Sequence, residues 1–215
     1  MKLSNIASLF KRNKRLIIHT APNAQQWISN GEAIYALSGF PAMTPEIVLR
    51  IFDVPPDKQY KWICREEKMP PTIRFDDNVP GERDVEVGEI NLEWYGDKFW
   101  TFQDGCKIYT VKEEYIKPLL DEPDYLTYHK RETDSGAFVL AVKVGMELKA
   151  IVCPAYLHKD ERYIREIDKI GTLYRSMKIE ETIEAAREFC KDAKKEDAPQ
   201  DVEPETGEVA DQQSL

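Results

Sequence analysis

No apolar run in this sequence approaches the roughly 18 residues that a membrane-spanning helix needs. Apolar stretches such as Ala150–Cys153 are strand-sized, so no membrane association is expected. Paired cysteines are missing too. Cys64, Cys106, Cys153 and Cys190 lie far apart with no CxxC, which removes a zinc ribbon and a dense disulfide framework and leaves buried thiols in a reducing, cytoplasmic setting. Histidine is scarce, with only His19, His129 and His158, each read as a surface or internally satisfied polar residue. No HExxH, Walker loop or GxSxG occurs, so the usual marks of zincin, P-loop and hydrolase chemistry are absent. Acidic residues are missing before Glu32, yet the apolar part of that stretch is too short and interrupted for a secretory signal. Leu3, Ile6, Leu9 and Phe10 recur instead at helical spacing and predict a short amphipathic helix in segment 1–13.

What remains is ample for a core. The chain has 215 residues, 42% of them hydrophobic, with four Trp and ten Tyr, enough for one large domain or two small ones. Its net charge of -9 is unevenly placed: after Cys190 come three lysines and eight carboxylates without an aromatic residue. Such a tail cannot repay its ordering entropy, so residues 191–215 are expected to be disordered. No long basic stripe marks the body, which argues against simple wrapping by nucleic acid.

One unit is written twice. Ile28–Leu37 (ISNGEAIYAL) aligns with Phe102–Val111 (FQDGCKIYTV), placing Gly31 on Gly105, Ile34 on Ile108 and Tyr35 on Tyr109. Asn30-Gly31 and Asp104-Gly105 are dipeptides suited to type I′ hairpin turns. A helix follows each hairpin. Thr44 caps the first with Pro45 at its first position, and the second begins near Lys112 and is shortened by Pro118. Each helix then runs through an Asp-x-Pro turn to a strand ending in Arg-Glu, at Arg65-Glu66 and Arg131-Glu132. Ala137–Val144 and Met146–Cys153 complete a meander, and residues 67–88 read as a connecting loop. The fold class is therefore α+β, a duplicated hairpin–helix–strand unit with mainly antiparallel sheets. Its halves are 14–70 and 88–157 within a domain 14–157. Beyond it, Tyr163, Ile167, Ile170 and Tyr174 form one helical stripe, and Ile179, Ile183, Ala186 and Cys190 a second after a phase break near Lys178. Two C-terminal helices over 158–190 are expected, with the first stripe the candidate partner surface.

The text from Tyr109 to Leu157, YTVKEEYIKPLLDEPDYLTYHKRE continuing to AFVLAVKVGMELKAIVCPAYL, resembles a half-domain of the sliding clamps, the DNA polymerase processivity factors. The resemblance lies in the order of a strand with Thr110-Val111, a helix through Tyr115 and Leu119-Leu120, and a meander closing on Pro154. It implies a non-enzymatic, clamp-like binding or scaffold protein, with a replication or recombination factor as protein partner and no cofactor or metal. Clamp helices face DNA with basic residues; the candidates here are Arg50, Lys61, Lys112 and Lys117, opposed by Glu46, Glu113 and Glu114. One such domain per chain would need homo-oligomerisation to close a ring. The chain is also similar in general look to proteins of prophages in low-GC Gram-positive bacteria, which implies a phage origin.

Two alternatives stand beside it. Asp124, Glu147 and Lys149 have the order of a PD-(D/E)xK nuclease, whose carboxylates share a Mg²⁺ while the lysine sits by the attacking water. The meander places Asp124 and Glu147 two strands apart, about 10 Å at the strand spacing, which is wide for one metal. The other alternative is an acidic protein-interaction module or inhibitor. Asp76-Asp77 is read as a solvated turn, and Trp27, Trp62, Trp94 and Trp100 as core residues rather than base-stacking ones.

Overall fold

In the computed structural model, which describes residues 3–105, 107–120, 125–155 and 160–196, helix α1 (Leu3–Asn13) turns Ile6, Leu9 and Phe10 inward. Each such side chain stabilises by about 1.5–3 kcal/mol when fully buried. The chain then forms β1 (Arg15–Thr20), β2 (Gln26–Ser29), β3 (Ala33–Ala36), α2 (Pro45–Ile51), α3 (Pro56–Gln59) and β4 (Ile63–Lys68). Short strands β5 (Arg83–Asp84), β6 (Glu86–Val87) and β7 (Leu92–Trp94) lead to β8 (Asp97–Asp104), β9 (Lys107–Lys112) and α4 (Glu113–Ile116). The meander β10 (Leu126–Glu132), β11 (Phe138–Val144) and β12 (Glu147–Val152) follows, and α5 (Glu161–Glu196) is the last element described.

Eight strands make one sheet in the order β4-β1-β2-β3-β12-β11-β10-β5, antiparallel except for the β1–β4 pair. A smaller sheet has β8 at its centre, with β6 and β7 along one edge and β9 along the other. Alternation of side chains gives the large sheet two apolar faces. Leu16, Ile18, Tyr35, Leu140 and Val152 meet the helices and the small sheet in the main core. Trp27, Ile34, Val139 and Ile151 form a second cluster under Met69, Ile73 and Phe75. This is why β11 reads FVLAV without polar interruption.

The cover over that second face is the stretch expected to be a plain connector. The Arg131 guanidinium, 2% exposed, donates to the carbonyls of Arg74 (2.8 Å) and Asp77 (3.3 Å) and to Glu82 (3.0 Å). Lys143 lies 2.8 Å from the same carboxylate. Asp77 is no solvated turn: its Oδ1 accepts from Leu148 N at 2.8 Å. Residues 69–82 are thus a strap buttoned to β10, β11 and β12.

Local signals hold at the helices. Thr44 accepts from Ile47 N with Pro45 behind it. Lys112 is the residue before α4, and at Pro118 the chain passes into a 3₁₀ turn, Lys117–Leu119. The hairpin turns are shifted by one residue. Asn30 keeps ordinary φ while Gly31 has φ +97°, and Asn30 Oδ1 accepts from Glu32 N and Ala33 N at 3.0 and 2.9 Å. The central pair is Gly31-Glu32, with glycine first, as a type II′ turn requires. In β8–β9 the closing pair is Asp104↔Lys107 and Gly105, at φ +59°, holds the equivalent place.

The two units repeat in order but not in pairing. The first keeps β1 to β4 in one sheet, whereas β10 leaves the β7-β8-β9 sheet and joins β11 and β5. The C-terminal expectation is also corrected: a single helix runs to Glu196, because the phase break near Lys178 rotates the apolar stripe without supplying a proline or glycine to end the helix. Residues 197–215 of the expected tail lie outside the described residues. By contacts the chain divides into Met1–Gly171 and Thr172–Leu215. The second unit is described from Thr172 to Glu196 as helix, with Leu173, Ile179 and Ile183 exposed.

Candidate functional site

Among the described residues that are not glycine, Lys14, Ala24, Asp53 and Tyr95 have positive φ, and Tyr95 lies in the β7–β8 hairpin. Trp94 pairs with Asp97, so the turn residues are Tyr95 and Gly96, at φ +49° and +81°. Positive φ at both centres is the type I′ turn, found here and not at the two dipeptides where it was expected. Tyrosine in that region is strained by about 1–3 kcal/mol, and its side chain is 85% exposed. A residue that neither suits its backbone nor packs in the core points to use of its ring.

Trp94 stands beside it, edge-on to Tyr95 (5.5 Å) and to Tyr163 (5.8 Å). Its Nε1–H is buried with no acceptor among the described residues. Trp94 lines a cavity of about 530 Å³ with Tyr95, Phe99, Tyr115, Glu32 and Cys153. It also lines a groove of about 390 Å³ with Arg162, Arg165, Glu166 and Lys169 of α5. The two therefore share one aromatic wall. The groove residues follow an i, i+3, i+4, i+7 pattern, a single helix face. Asp160 starts that helix, its Oδ1 accepting from Arg162 N and Tyr163 N at 3.0 and 3.3 Å.

Charge differs between the two compartments. In the cavity, Asp97 is held below the usual carboxylate range, first by the Lys112 hydrogen bond, against some desolvation, and then by Arg12. Those cations lie 2.9 and 3.1 Å from it. Glu32 accepts from the Tyr115 hydroxyl. Burial, and then the Glu32 carboxylate, push the Cys153 thiol up, so it is a neutral thiol rather than a nucleophile. The groove has three cations against one carboxylate, Glu166, which pairs with Lys169 at 2.7 Å.

The DNA-facing candidates are divided. Lys112 is spent on Asp97, and Lys117 pairs with Glu113 at 3.0 Å. Arg50 on α2 and Lys61 after α3 are exposed, Lys61 lying 5.5 Å over the Tyr60 ring. Of the partner stripe, Tyr163 and Ile170 are buried. Tyr163 is boxed by Trp94 and Phe99 and its hydroxyl meets that of Thr110. Ile167 lines a hollow with Phe138 and Pro154, so these three serve their own domain; Tyr174 belongs to the second unit. Of the nuclease set, Asp124 lies outside the described residues. Glu147 and Lys149 pair at 2.6 Å, brought together where Lys149 is the extra residue of a β-bulge in the β11–β12 register. Leu126, Val144 and Glu147 are in register across three strands. Among the described residues no group of three or more His, Cys, Asp or Glu is placed to hold a metal ion.

The sequence reading passed over Tyr95, Arg162, Arg165 and Lys169 and set Trp94 in the core. The usable signals were the Tyr-Gly pair between two strands and the helical spacing of the three cations. Compared with protein families, with curated proteins and with solved structures, the chain matches none.

Proposed function

We propose that the chain is a non-enzymatic binding protein whose recognition site is the Trp94 cavity and groove. The carrying observation is that Trp94 lines both an aromatic cavity and a groove with a cationic helix face. Such a site suits a ligand that presents a flat apolar face next to an anionic group. Anilinonaphthalenesulfonate, an aromatic sulfonate, has both features and serves as probe. Saturable one-site binding by the native protein, lost on Trp94→Leu without a fall in helix content, supports the reading. Binding that Trp94→Leu leaves unchanged removes it.

A clamp-like scaffold in DNA replication or recombination is the second reading. It is favoured by the order β9, α4, β10, β11, β12, which is the strand–helix–meander order of the clamp resemblance. Light scattering decides it: a discrete closed oligomer supports the scaffold, and a strict monomer at all concentrations removes it.

A further inference from the structure

Resting on the binding reading above, we infer that the occupant of the Trp94 site is single-stranded nucleic acid. Its unpaired bases lie against Tyr95 and the aromatic cavity, and its phosphates against Arg162, Arg165 and Lys169. Four observations lead there. Tyr95 is almost wholly exposed on a tight bend that glycine or asparagine would fill with less strain. An exposed ring held in place at a backbone cost is a stacking platform, and stacking on aromatic side chains is the sequence-tolerant mode by which single strands are held.

The second observation is the row of cations. Arg162, Arg165 and Lys169, the last shared with Glu166 at 2.7 Å, line one groove with Trp94, and at 1.5 Å per residue they span about 10 Å, enough to follow more than one phosphate. The third is their setting. The chain carries a net charge of -9, so this face is not part of a general basic coat and its cations have a local use. The fourth is the adjacency itself. A base–phosphate chain alternates flat apolar and anionic groups, and the cavity and groove offer both kinds of surface at one shared residue, Trp94.

The same features argue against other occupants. A duplex hides its base faces, and the carboxylates of Glu32, Asp97 and Glu166 around the site repel a broad phosphate surface. An acidic peptide would meet the cations and leave Tyr95 unused.

The test is fluorescence anisotropy of a short fluorescein-labelled oligothymidylate with the full chain, at about 50 mM salt and upwards. Two variants separate the two halves of the site. Tyr95→Gly relieves the positive φ and removes the platform, so thermal stability is equal or higher while affinity falls about tenfold. Arg162→Gln with Arg165→Gln alters two exposed side chains, leaves the fold intact, and flattens the slope of log affinity against log salt by about 0.7 for each lost phosphate contact. The expected result is saturable binding of the single strand, weaker binding of the matching duplex, and both variant effects. No binding at low salt overturns the inference. So does binding that neither variant changes, equal affinity for the duplex, or equal displacement by oligoglutamate. Saturable dye binding at Trp94 with no oligonucleotide binding sinks this inference alone and leaves the binding reading standing; loss of both sinks both.

Discussion

Lys130, on the large sheet, reaches Asp104 at the end of a strand in the small sheet, with Nζ 2.9 Å from Oδ2. The lysine is 6% exposed, and its ammonium also lies 5.6 Å over the Tyr109 ring. This contact ties the two sheets across the main core with a charge that has little access to water. Lys130→Met leaves the Asp104 carboxylate with the exposed Arg83 at 3.3 Å and the charge of Lys107. The expected cost is about 2–3 kcal/mol, read from the urea midpoint at neutral pH.

The same pair sets an acid limb. Asp104 is held below the ordinary carboxylate range, first by the Lys130 hydrogen bond, against desolvation, and then by Lys130 and Arg83 charge. A depressed folded-state value means the stabilisation is present above the unfolded value of about 3.9 and is lost as pH falls through the folded one. Urea midpoints measured from about pH 6 downwards should fall steeply in the native chain and less steeply in Lys130→Met. Parallel curves would refute the assignment.

The strap over the second face depends on Arg131. Replacing it with Met leaves the buried Glu82 with Lys143 at 2.8 Å and the His129 ring at 3.4 Å, and frees the carbonyls of Arg74 and Asp77. A loss of about 3 kcal/mol is expected, with amide exchange accelerated in residues 69–82 before the rest of the first unit. Uniform acceleration across the chain would mean that the strap has no independent opening.

Gly31 is required twice over. A Cβ there would stand 2.8 Å from the Arg15 guanidinium, on a backbone at φ +97°. Gly39, at φ +80°, has nothing within 4 Å of a built Cβ and isolates the backbone part. Each alanine substitution should cost about 1–2 kcal/mol from the left-handed backbone, with Gly31→Ala the larger by the displacement of Arg15. Equal thermal shifts would show that Arg15 moves aside freely.

The helix caps, the break at Pro118 and the meander were legible because each depends on residues within a few positions of one another. Thr44 and Pro45 need only the following turn of helix. The Asn30-Gly31 bend was misplaced by one residue because the Asn30 side chain takes two backbone donors and pushes the centre of the turn onto Glu32. The strap was not legible, since Met69, Ile73 and Phe75 have no period and their anchor, Arg131, is 49 residues from Glu82 in the chain. The groove beside Trp94 was hidden for the same reason. Trp94 meets Arg162 and Arg165 only after the chain has built two sheets, and tyrosine before glycine gives no warning of a left-handed backbone.

The large sheet ends in ways that bear on self-association. Its edge strand β4 reads ICREEK and exposes Arg65, Glu66, Glu67 and Lys68, while the opposite border is the two-residue β5. One border repels an incoming strand by charge and the other is too short to template one. Neither border of the large sheet thus offers a second copy a long, neutral strand to pair with, and contacts made there must be written in side chains.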